Sequence, residues 1–316
     1  MNQKKIIDIH DGERLSQVFL CRIKKEAVSK TGKSYYALTL TDATGNLEGK
    51  VWDINQAIED FDAGDFIVCD GNVNTFNNVL QLNINRLRLA QKNEYRAEDF
   101  FPSTNKDVSE MYADLLKFCA SIKNPYMKKL VNSFFTDDAE FAEAFKQKSA
   151  AKSIHHGFMG GLLEHTLNVV RLCNGYCHIY PQLNRDLLIA AAMLHDVGKV
   201  RELSDFPAND YTDEGQLIGH IIIGYEMVSE KIAAIDGFPE KTANELKHCI
   251  LAHHGELEFG SPKKPALMEA QALHFADNTD AKMEIFIESV VSSTNNGWLG
   301  KNPFLDSNVR KTTPLE

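Results

Sequence analysis

The sequence predicts a multidomain protein, with an N-terminal all-β barrel followed by an all-α helical bundle. Residues 14–90 alternate apolar and polar side chains, as half-buried strands do, whereas from residue 107 apolar residues recur with the helical period. Residues 93–106 show neither period and contain Pro102, which is typical of a linker. We therefore predict domains at residues 1–92 and 107–300, a linker at 93–106, and a poorly ordered polar tail at 301–316.

The first domain contains five predicted strands, with a short helix near residues 55–61 between the third and the fourth. Glycine or asparagine marks turns at residues 30–33, 43–46 and 77–78. This order of elements describes an OB-fold. The stretch from Tyr35 to Trp52 also resembles a pattern that recurs in nucleic-acid-binding OB modules, which implies single-stranded nucleic acid as a partner.

Aromatic and basic side chains of this domain are candidates for the nucleic-acid contact. The substrate-binding candidates are Lys33, Tyr35, Tyr36, Trp52 and Phe76, the rings stacking on bases and the lysine contacting phosphate. The same rings can instead fill the barrel interior, and the sequence does not decide between the two. A net charge of −10 argues against a broad polyanion-binding surface, although it permits a narrow groove.

The second domain is organised around residues 188–199, LIAAAMLHDVGK. The first seven of these residues predict a buried helix, which then delivers His195 and Asp196. Buried polar groups require partners, and a divalent metal binds an imidazole and a carboxylate together. The alternative is a core histidine hydrogen-bonded to the neighbouring aspartate.

Further ionisable residues lie in similar apolar, helical contexts, and the helices of a bundle can direct them into one interior. These residues are His165, His220, His253, His254, Asp277 and Asp280. His165, His195–Asp196 and Asp277 resemble the metal ligands of the HD-domain metal-dependent phosphohydrolases, and His220 and His253 match extra histidines of members that hold two metals. The resemblance implies two divalent ions. Mixed histidines and carboxylates favour Mn, Fe, Co or Zn over Mg alone, and we expect Mn.

Residues 155–166, HHGFMGGLLEHT, place a glycine pair at a predicted helix start. They resemble the HD domains that are fused to an OB-fold in the YhaM-type 3′-to-5′ exoribonucleases, and the likeness covers nearly the whole chain. It implies hydrolysis of single-stranded RNA, or of single-stranded DNA, to nucleoside 5′-monophosphates. It also implies assembly into a homo-oligomer, although no residue in the sequence identifies an interface.

The candidate residues have the following expected roles, with an alternative for Lys199 and for the histidine pair at 155–156. Asp196 is the catalytic carboxylate that bridges two metals, since it has two oxygens. Lys199 contacts phosphate or protonates the leaving oxygen, or else is a surface lysine that ends a helix. His254 is a catalytic neighbour of the second metal. His155 and His156 reach substrate phosphate or cap a helix. Glu164 and Asp280 are expected to orient imidazoles.

Other functions also fit the composition. An HD-type hydrolase of small nucleotides leaves the barrel unexplained, and a di-iron oxygenase uses the same helical architecture. A non-catalytic nucleic-acid-binding protein with a relict HD domain would lack metal ligands, and none is missing. The chain has no signal peptide or membrane-spanning run, and its six scattered cysteines contain no CxxC pair, so we expect a cytoplasmic protein with no membrane partner.

Overall fold

The computed structural model describes residues 3–313 apart from 30–31, 56, 77–78, 97–98, 102, 153–155, 207, 292 and 294. The chain divides into two compact units, Met1–Ser103 and Thr104–Glu316. The predicted turn at residues 77–78 lies outside the described residues, as does part of the turn at 30–33.

The first unit is a closed barrel with the predicted OB-fold architecture. Its strands are β1 (Arg14–Val28), β2 (Ser34–Asp42), β3 (Gly45–Val51), β4 (Phe66–Phe76) and β5 (Val79–Leu89), preceded by a 3₁₀ turn at Ile6–Asp8. The order around the barrel is β1-β2-β3-β5-β4. The β3–β5 pair is parallel and the other pairs are antiparallel. The fold class predicted for this unit is confirmed.

Alternation along the strands fills the barrel interior. Phe19, Leu40, Ile67 and Leu82 are fully buried in one apolar cluster. Each such side chain contributes roughly 1.5–3 kcal/mol when it leaves water. A register shift of one residue would move this whole set to the outer face. The period that predicts the strands therefore also fixes their pairing.

The predicted short helix near residues 55–61 is wrong: no helix forms among the described residues of this segment. The backbone of Glu59 donates to the Leu87 carbonyl at 2.9 Å, and Leu87 donates to the Ala57 carbonyl at 3.0 Å. The backbone polar groups of the segment are thus satisfied by β5 rather than by a helical turn.

The first residues of the predicted linker pack on the barrel. Tyr95 stacks on Phe66 with ring centroids 3.9 Å apart. Phe100 and Phe101 are buried, and both contact the Phe66 ring edge-on. Burial of these rings attaches the segment to the first unit. The contact leaves no regular period in the sequence, so pattern analysis could not predict it.

The second unit is predominantly helical. Its helices are α1 (Val108–Ser121), α2 (Pro125–Phe135), α3 (Ala139–Gln147), α4 (Gly161–Ile179), α5 (Arg185–Leu194), α6 (Lys199–Glu202), α7 (Asp213–Leu217), α8 (His220–Ala233), α9 (Glu240–Leu251) and α10 (Met268–Val291), with a 3₁₀ turn at Leu257–Phe259. The side chains of Asp107, Asn124 and Asp138 cap the amino ends of α1, α2 and α3.

Helix α5 lies at the centre of this unit. All its residues from 187 to 194 are buried, and it packs against α2, α4, α9 and α10. A helix that is apolar on every face is stable only inside a protein. The carboxyl end of α5 therefore delivers the residues that follow it to the interior of the bundle.

The predicted disordered tail is wrong for residues 301–310. Strands β6 (Trp298–Asn302) and β7 (Ser307–Arg310) form an antiparallel hairpin. Val309 is buried, and Asn302 Nδ2 donates to Ser289 Oγ of α10 at 3.0 Å. One apolar side chain and a hydrogen bond to α10 anchor a segment whose polar composition predicts disorder.

No described helix has the length and apolar character needed to cross a membrane. The six cysteines are all free thiols, and all but Cys177 are buried. Burial raises the pKa of Cys119 and of Cys249 to about 12, so these thiols stay protonated.

Candidate metal centre

His195 and Asp196 follow the last residue of α5 and are both buried. His195 Nδ1 donates to the Ala192 carbonyl at 2.8 Å. Because a carbonyl can only accept, this bond fixes the tautomer and leaves Nε2 of a neutral ring as an acceptor. The end of the helix thus presents an imidazole nitrogen and a carboxylate to the interior.

A first group of ligand atoms comes from α4, from the end of α5 and from α10. His165 Nε2 lies 3.2 Å from His195 Nε2 and 3.2 Å from Asp277 Oδ1. Burial lowers the pKa of His165, but hydrogen bonds with Asp277 and Asp280 outweigh burial and raise the pKa to about 10. These carboxylates therefore attract positive charge to this point, a cation as well as a proton.

A second group consists of His220 at the start of α8 and of His253 and His254 after α9. One ligand atom of each lies within 4.8 Å of the others. Burial lowers the pKa of His253 and of His254, and neighbouring imidazoles lower both further. Neutral imidazole is the form that binds a metal.

Asp196 lies between the two groups. Its Oδ2 is 3.5 Å from His165 Nε2 and 3.4 Å from His195 Nε2. Its Oδ1 is 3.5 Å from His220 Nε2 and 3.8 Å from His253 Nε2. One oxygen of the carboxylate thus faces each group, which is the arrangement expected of a shared ligand.

Three buried atoms that face this space have no hydrogen-bond partner among the described residues: Asp196 Oδ1, His220 Nε2 and His253 Nε2. Such atoms are rare in folded proteins, and an ion is one explanation for them. Imidazole and carboxylate donors suit Mn, Fe, Co or Zn. The donor set therefore fits two divalent cations.

Two carboxylates hold imidazoles in position. Asp280 Oδ2 accepts from His165 Nδ1 at 2.7 Å, and Glu202 Oε1 accepts from His220 Nδ1 at 2.9 Å. Each bond directs the Nε2 atom towards the interior. Sequence reasoning assigned this role to Asp280 but missed Glu202. The signal that could have found it is an acidic residue on the short helix directly after the HD motif.

Among the described residues Glu164 contacts no imidazole, so its predicted role of orienting one is wrong for that part of the chain. Its carboxylate accepts from Thr104 Oγ1 and forms an ion pair with Lys106 Nζ at 2.7 Å. Successive helix residues point in different directions, so Glu164 faces away from the interior that His165 enters.

Two positions near the site require glycine, one for a close backbone approach and one for a positive φ. A Cβ atom at Gly198 would lie 2.1 Å from the His220 carbonyl oxygen, so the start of α8 can reach the turn after α5 only at a glycine. Gly160 has a φ of +80° and immediately precedes α4, which confirms the predicted helix start.

His156 belongs to the interior of the site. Its side chain is buried, and its Nε2 lies 2.9 Å from Asp280 Oδ2, so this one oxygen joins His156 to His165. The Nδ1 atom of His156 has no partner within the described part of the chain. His155 lies outside the described residues.

Lys199 forms an ion pair with Asp196, with Nζ 2.7 Å from Oδ2. Burial lowers the pKa of Lys199, but attraction to the Asp196 carboxylate has the larger effect and raises the pKa above its usual value. The residue is largely buried, which excludes the interpretation as a surface lysine.

A cavity of about 550 Å³ opens onto these groups, a volume in the range of small-molecule sites. Its lining includes His156, His165, Lys199, His220, His254 and Asp277, together with Lys152, Tyr211 and Phe259. The cavity thus joins both groups of ligand atoms to the solvent.

On the barrel, Tyr35 and Trp52 form a stacked pair with ring centroids 4.6 Å apart. Lys50 Nζ lies 5.7 Å from the centre of the Tyr35 ring, and Trp52 Nε1 donates to Asn83 Oδ1 at 2.9 Å. Trp52 is nevertheless 48% exposed. A stacked ring pair that includes an exposed tryptophan, beside a lysine, is a feature of surfaces that bind single-stranded nucleic acid.

The other barrel candidates do not join this pair. Tyr36 packs on the barrel core, edge-on to Phe61. Phe76 ends β4 and is exposed, and Lys33 is exposed immediately before β2. Alternation along β2 explains why adjacent tyrosines face opposite sides of the sheet.

Comparison with known proteins connects both units to families. The family model described as "HD domain" matches residues 162–282, and the one described as "OB-fold nucleic acid binding domain" matches residues 18–90.

Three similar relatives bear the name 3′-5′ exoribonuclease YhaM. The relative from Bacillus velezensis is 36% identical over 285 residues, which cover 88% of each chain. The relative from Geobacillus sp. (strain WCH70) is 34% identical over 89% of this chain and 86% of its own. The relative from Bacillus pumilus is 33% identical over 89% of each. The chain therefore belongs to the YhaM 3′-5′ exoribonuclease family.

Proposed function

We propose that the chain is a metal-dependent 3′-to-5′ exoribonuclease that hydrolyses single-stranded RNA, in preference to single-stranded DNA, to nucleoside 5′-monophosphates. The observation that carries the proposal is the position of Asp196, with one carboxylate oxygen facing each of two buried groups of imidazoles. The names of the relatives supply the substrate class and the direction of degradation.

His165, His195 and Asp277 would hold one divalent cation, and His220, His253 and His254 the other, with Asp196 contributing an oxygen to each. When bound, such cations supply Lewis acidity for phosphodiester hydrolysis. Among the metals that suit these donors, we propose Mn.

The side chains around the cavity position the substrate. The ammonium of Lys199 offers positive charge to a phosphate oxygen. His156 lines the same cavity, and its unpartnered Nδ1 atom is available for a hydrogen bond to the substrate. We also assign His254, whose ring is within 5.3 Å of the His220 ring, to the catalytic group.

The barrel retains the RNA in this proposal. Tyr35 and Trp52 stack on bases while Lys50 contacts phosphate, and because every base has an aromatic face this binding tolerates any sequence. The free thiols suit a reducing compartment, and we place the enzyme in the cytoplasm. Assembly into a homo-oligomer stays a prediction.

The test is the degradation of 5′-labelled single-stranded RNA with Mn²⁺ by the wild type and by Asp196→Ala. We expect a ladder that shortens from the 3′ end with the wild type only. Turnover of small nucleotides by a wild type that leaves RNA intact would favour an HD-type phosphohydrolase of small nucleotides instead. RNA binding with neither activity would favour a non-catalytic protein.

A further inference from the structure

Two aromatic rings line the cavity at the metal centre and have no part in the function proposed above. Tyr211 lies between α6 and α7, and Phe259 ends the 3₁₀ turn that follows α9. Both contribute to the lining that Lys199 and Asp277 share, yet Tyr211 is 43% and Phe259 60% exposed. Scattered exposed rings need no explanation, but two of them in the lining of the cavity that opens onto the candidate metal ligands indicate a binding function.

The backbone that carries each ring bonds to a residue in the metal centre or directly beside it. The Phe259 carbonyl accepts from His254 Nδ1 at 2.9 Å. Tyr211 pairs with Leu203 in an isolated antiparallel β-bridge, and Leu203 directly follows Glu202, the residue that holds His220. The backbone at each ring is therefore tied to a segment that the site itself holds in place.

A cation accompanies the Tyr211 ring. Lys152 Nζ lies 5.9 Å from the centre of this ring, and its ion pair with Asp210 at 2.6 Å keeps the ammonium near the cavity. Exposed rings combined with lysines, next to groups suited to phosphodiester chemistry, match the two parts of a nucleotide. A base stacks on a ring and a phosphate contacts an ammonium.

We propose that Tyr211 and Phe259 form a stacking subsite for the bases that flank the scissile phosphate of an RNA 3′ end. The inference rests on the proposed exoribonuclease function and names how its substrate is recognised. Stacking accepts all bases but requires that they be unpaired, because a base inside a duplex has no free face. The subsite therefore selects single-stranded ends without reading their sequence.

The experiment is a cycle in which the ring and the base are removed separately. Three oligoribonucleotides are compared: one carries all its bases, one lacks the 3′-terminal base, and one lacks the penultimate base. For each strand, kcat/KM is measured with Mn²⁺ for the wild type, Tyr211→Ala and Phe259→Ala. On the complete strand we expect each alanine variant to lose roughly tenfold, the size of one stacking contact. On the strand that lacks the base stacked on that ring, the kcat/KM of the wild type should itself fall roughly tenfold. The alanine variant should then be at most about twofold slower than the wild type on that strand.

Tyr211→Phe keeps the ring and should retain the wild-type rate on every strand. Tyr180→Ala is the matched control, since Tyr180 on the α4 side of the unit is 57% exposed and lies outside the cavity lining. Bound metal and the thermal unfolding midpoint, measured for each variant, identify any that has lost its fold.

The subsite is wrong if either alanine substitution slows the complete and both base-deficient strands by the same factor, because the ring would then act on the structure rather than on a base. A wild type that leaves the complete strand intact would instead overturn the exoribonuclease function. In that case, the Kd values of the same strands for the wild type and the alanine variants test the stacking proposal without any need for cleavage.

Discussion

The Oδ1 atom of Asp196 lies 3.5 Å from the Nε2 atom of His220, and neither atom has a hydrogen-bond partner in the part of the chain that the structure describes. His220 Nδ1 donates to Glu202, so in the neutral form that binds a metal Nε2 is an acceptor. Two buried acceptors that face each other are unfavourable unless positive charge lies between them. The pair therefore has the geometry of two ligands of one cation.

Asp196→Asn tests the role of this carboxylate as a shared ligand. The substitution keeps the shape of the side chain but removes its charge, so we expect both cations to be lost and RNA cleavage to fall on the order of 10³-fold or more. Elemental analysis of the purified protein gives the metal content, and the labelled RNA assay gives the rate.

Glu230→Gln provides the control, since Glu230 is an exposed carboxylate on α8. This variant should keep the metal content and the activity of the wild type. Retention of two ions per chain by Asp196→Asn would contradict the shared ligand.

Glu202→Gln tests how His220 is positioned. The Glu202 carboxylate accepts from both the ring and the backbone N–H of His220, each at 2.9 Å. Because loss of such a partner weakens a neighbouring metal site, we expect the affinity for the second ion to fall about 10- to 100-fold while the first ion binds as before. Calorimetric titration with Mn²⁺ separates the two events.

Glu214→Gln is the matched control, because Glu214 pairs with the surface residue Arg201 and not with an imidazole. It should leave both ions unaffected. Equal weakening of both ions by Glu202→Gln would show that the carboxylate supports the whole fold rather than one ligand.

The fold was predictable where local chemistry and burial agree. Alternation places Leu40 inside the barrel, and the helical period predicted from residue 107 coincides with α1, which Asp107 caps. Prediction failed where the partner lies far along the chain. The segment at residues 55–61 bonds to Leu87, and Asn302 in the C-terminal hairpin bonds to Ser289. Composition near these segments carries no information about such partners.

The candidate site divides in the same way. His165, His195, Asp196 and Asp277 stand out in the sequence because each lies within or directly after an apolar helical segment, where a buried polar group needs a partner. Glu202 lies on a four-residue helix without an apolar period, so only its position directly after the HD motif marks it as a candidate partner of a ligand. Tyr211 and Phe259 are surface-like in their local sequence, and only the folded chain brings them to one cavity.

Removal of the metals should destabilise the helical unit. The ligands lie on separate helices, so ions that bind only the folded state stabilise it, by about 2.7 kcal/mol at 100 times the Kd for one ion. For a unit of this size, roughly 2–4 °C per kcal/mol gives a fall in Tm of about 5–10 °C after chelation. Differential scanning calorimetry with and without a chelator measures the shift.

Asp196→Asn serves as the reference for this experiment, because a variant without ions should show no response to the chelator. Return of the wild-type Tm on addition of Mn²⁺ completes the test. An unchanged wild-type Tm after verified metal removal would argue against ligation within the helical unit.

The exposed ring of Trp52 should contribute to RNA binding. In the Asp196→Asn background, which prevents degradation, we expect Trp52→Ala to raise the Kd for a single-stranded oligoribonucleotide roughly tenfold, the value of one stacked base. The chain has two tryptophans, and Trp298 on the C-terminal hairpin is 67% exposed. Trp298→Ala is therefore the matched control and should leave the Kd unchanged.

Trp52→Phe separates stacking from the hydrogen bond to Asn83. If stacking dominates, the phenylalanine variant should bind nearly as well as the wild type. Binding as weak as that of Trp52→Ala would show that the bond to Asn83, rather than the ring face, holds the surface in its binding form.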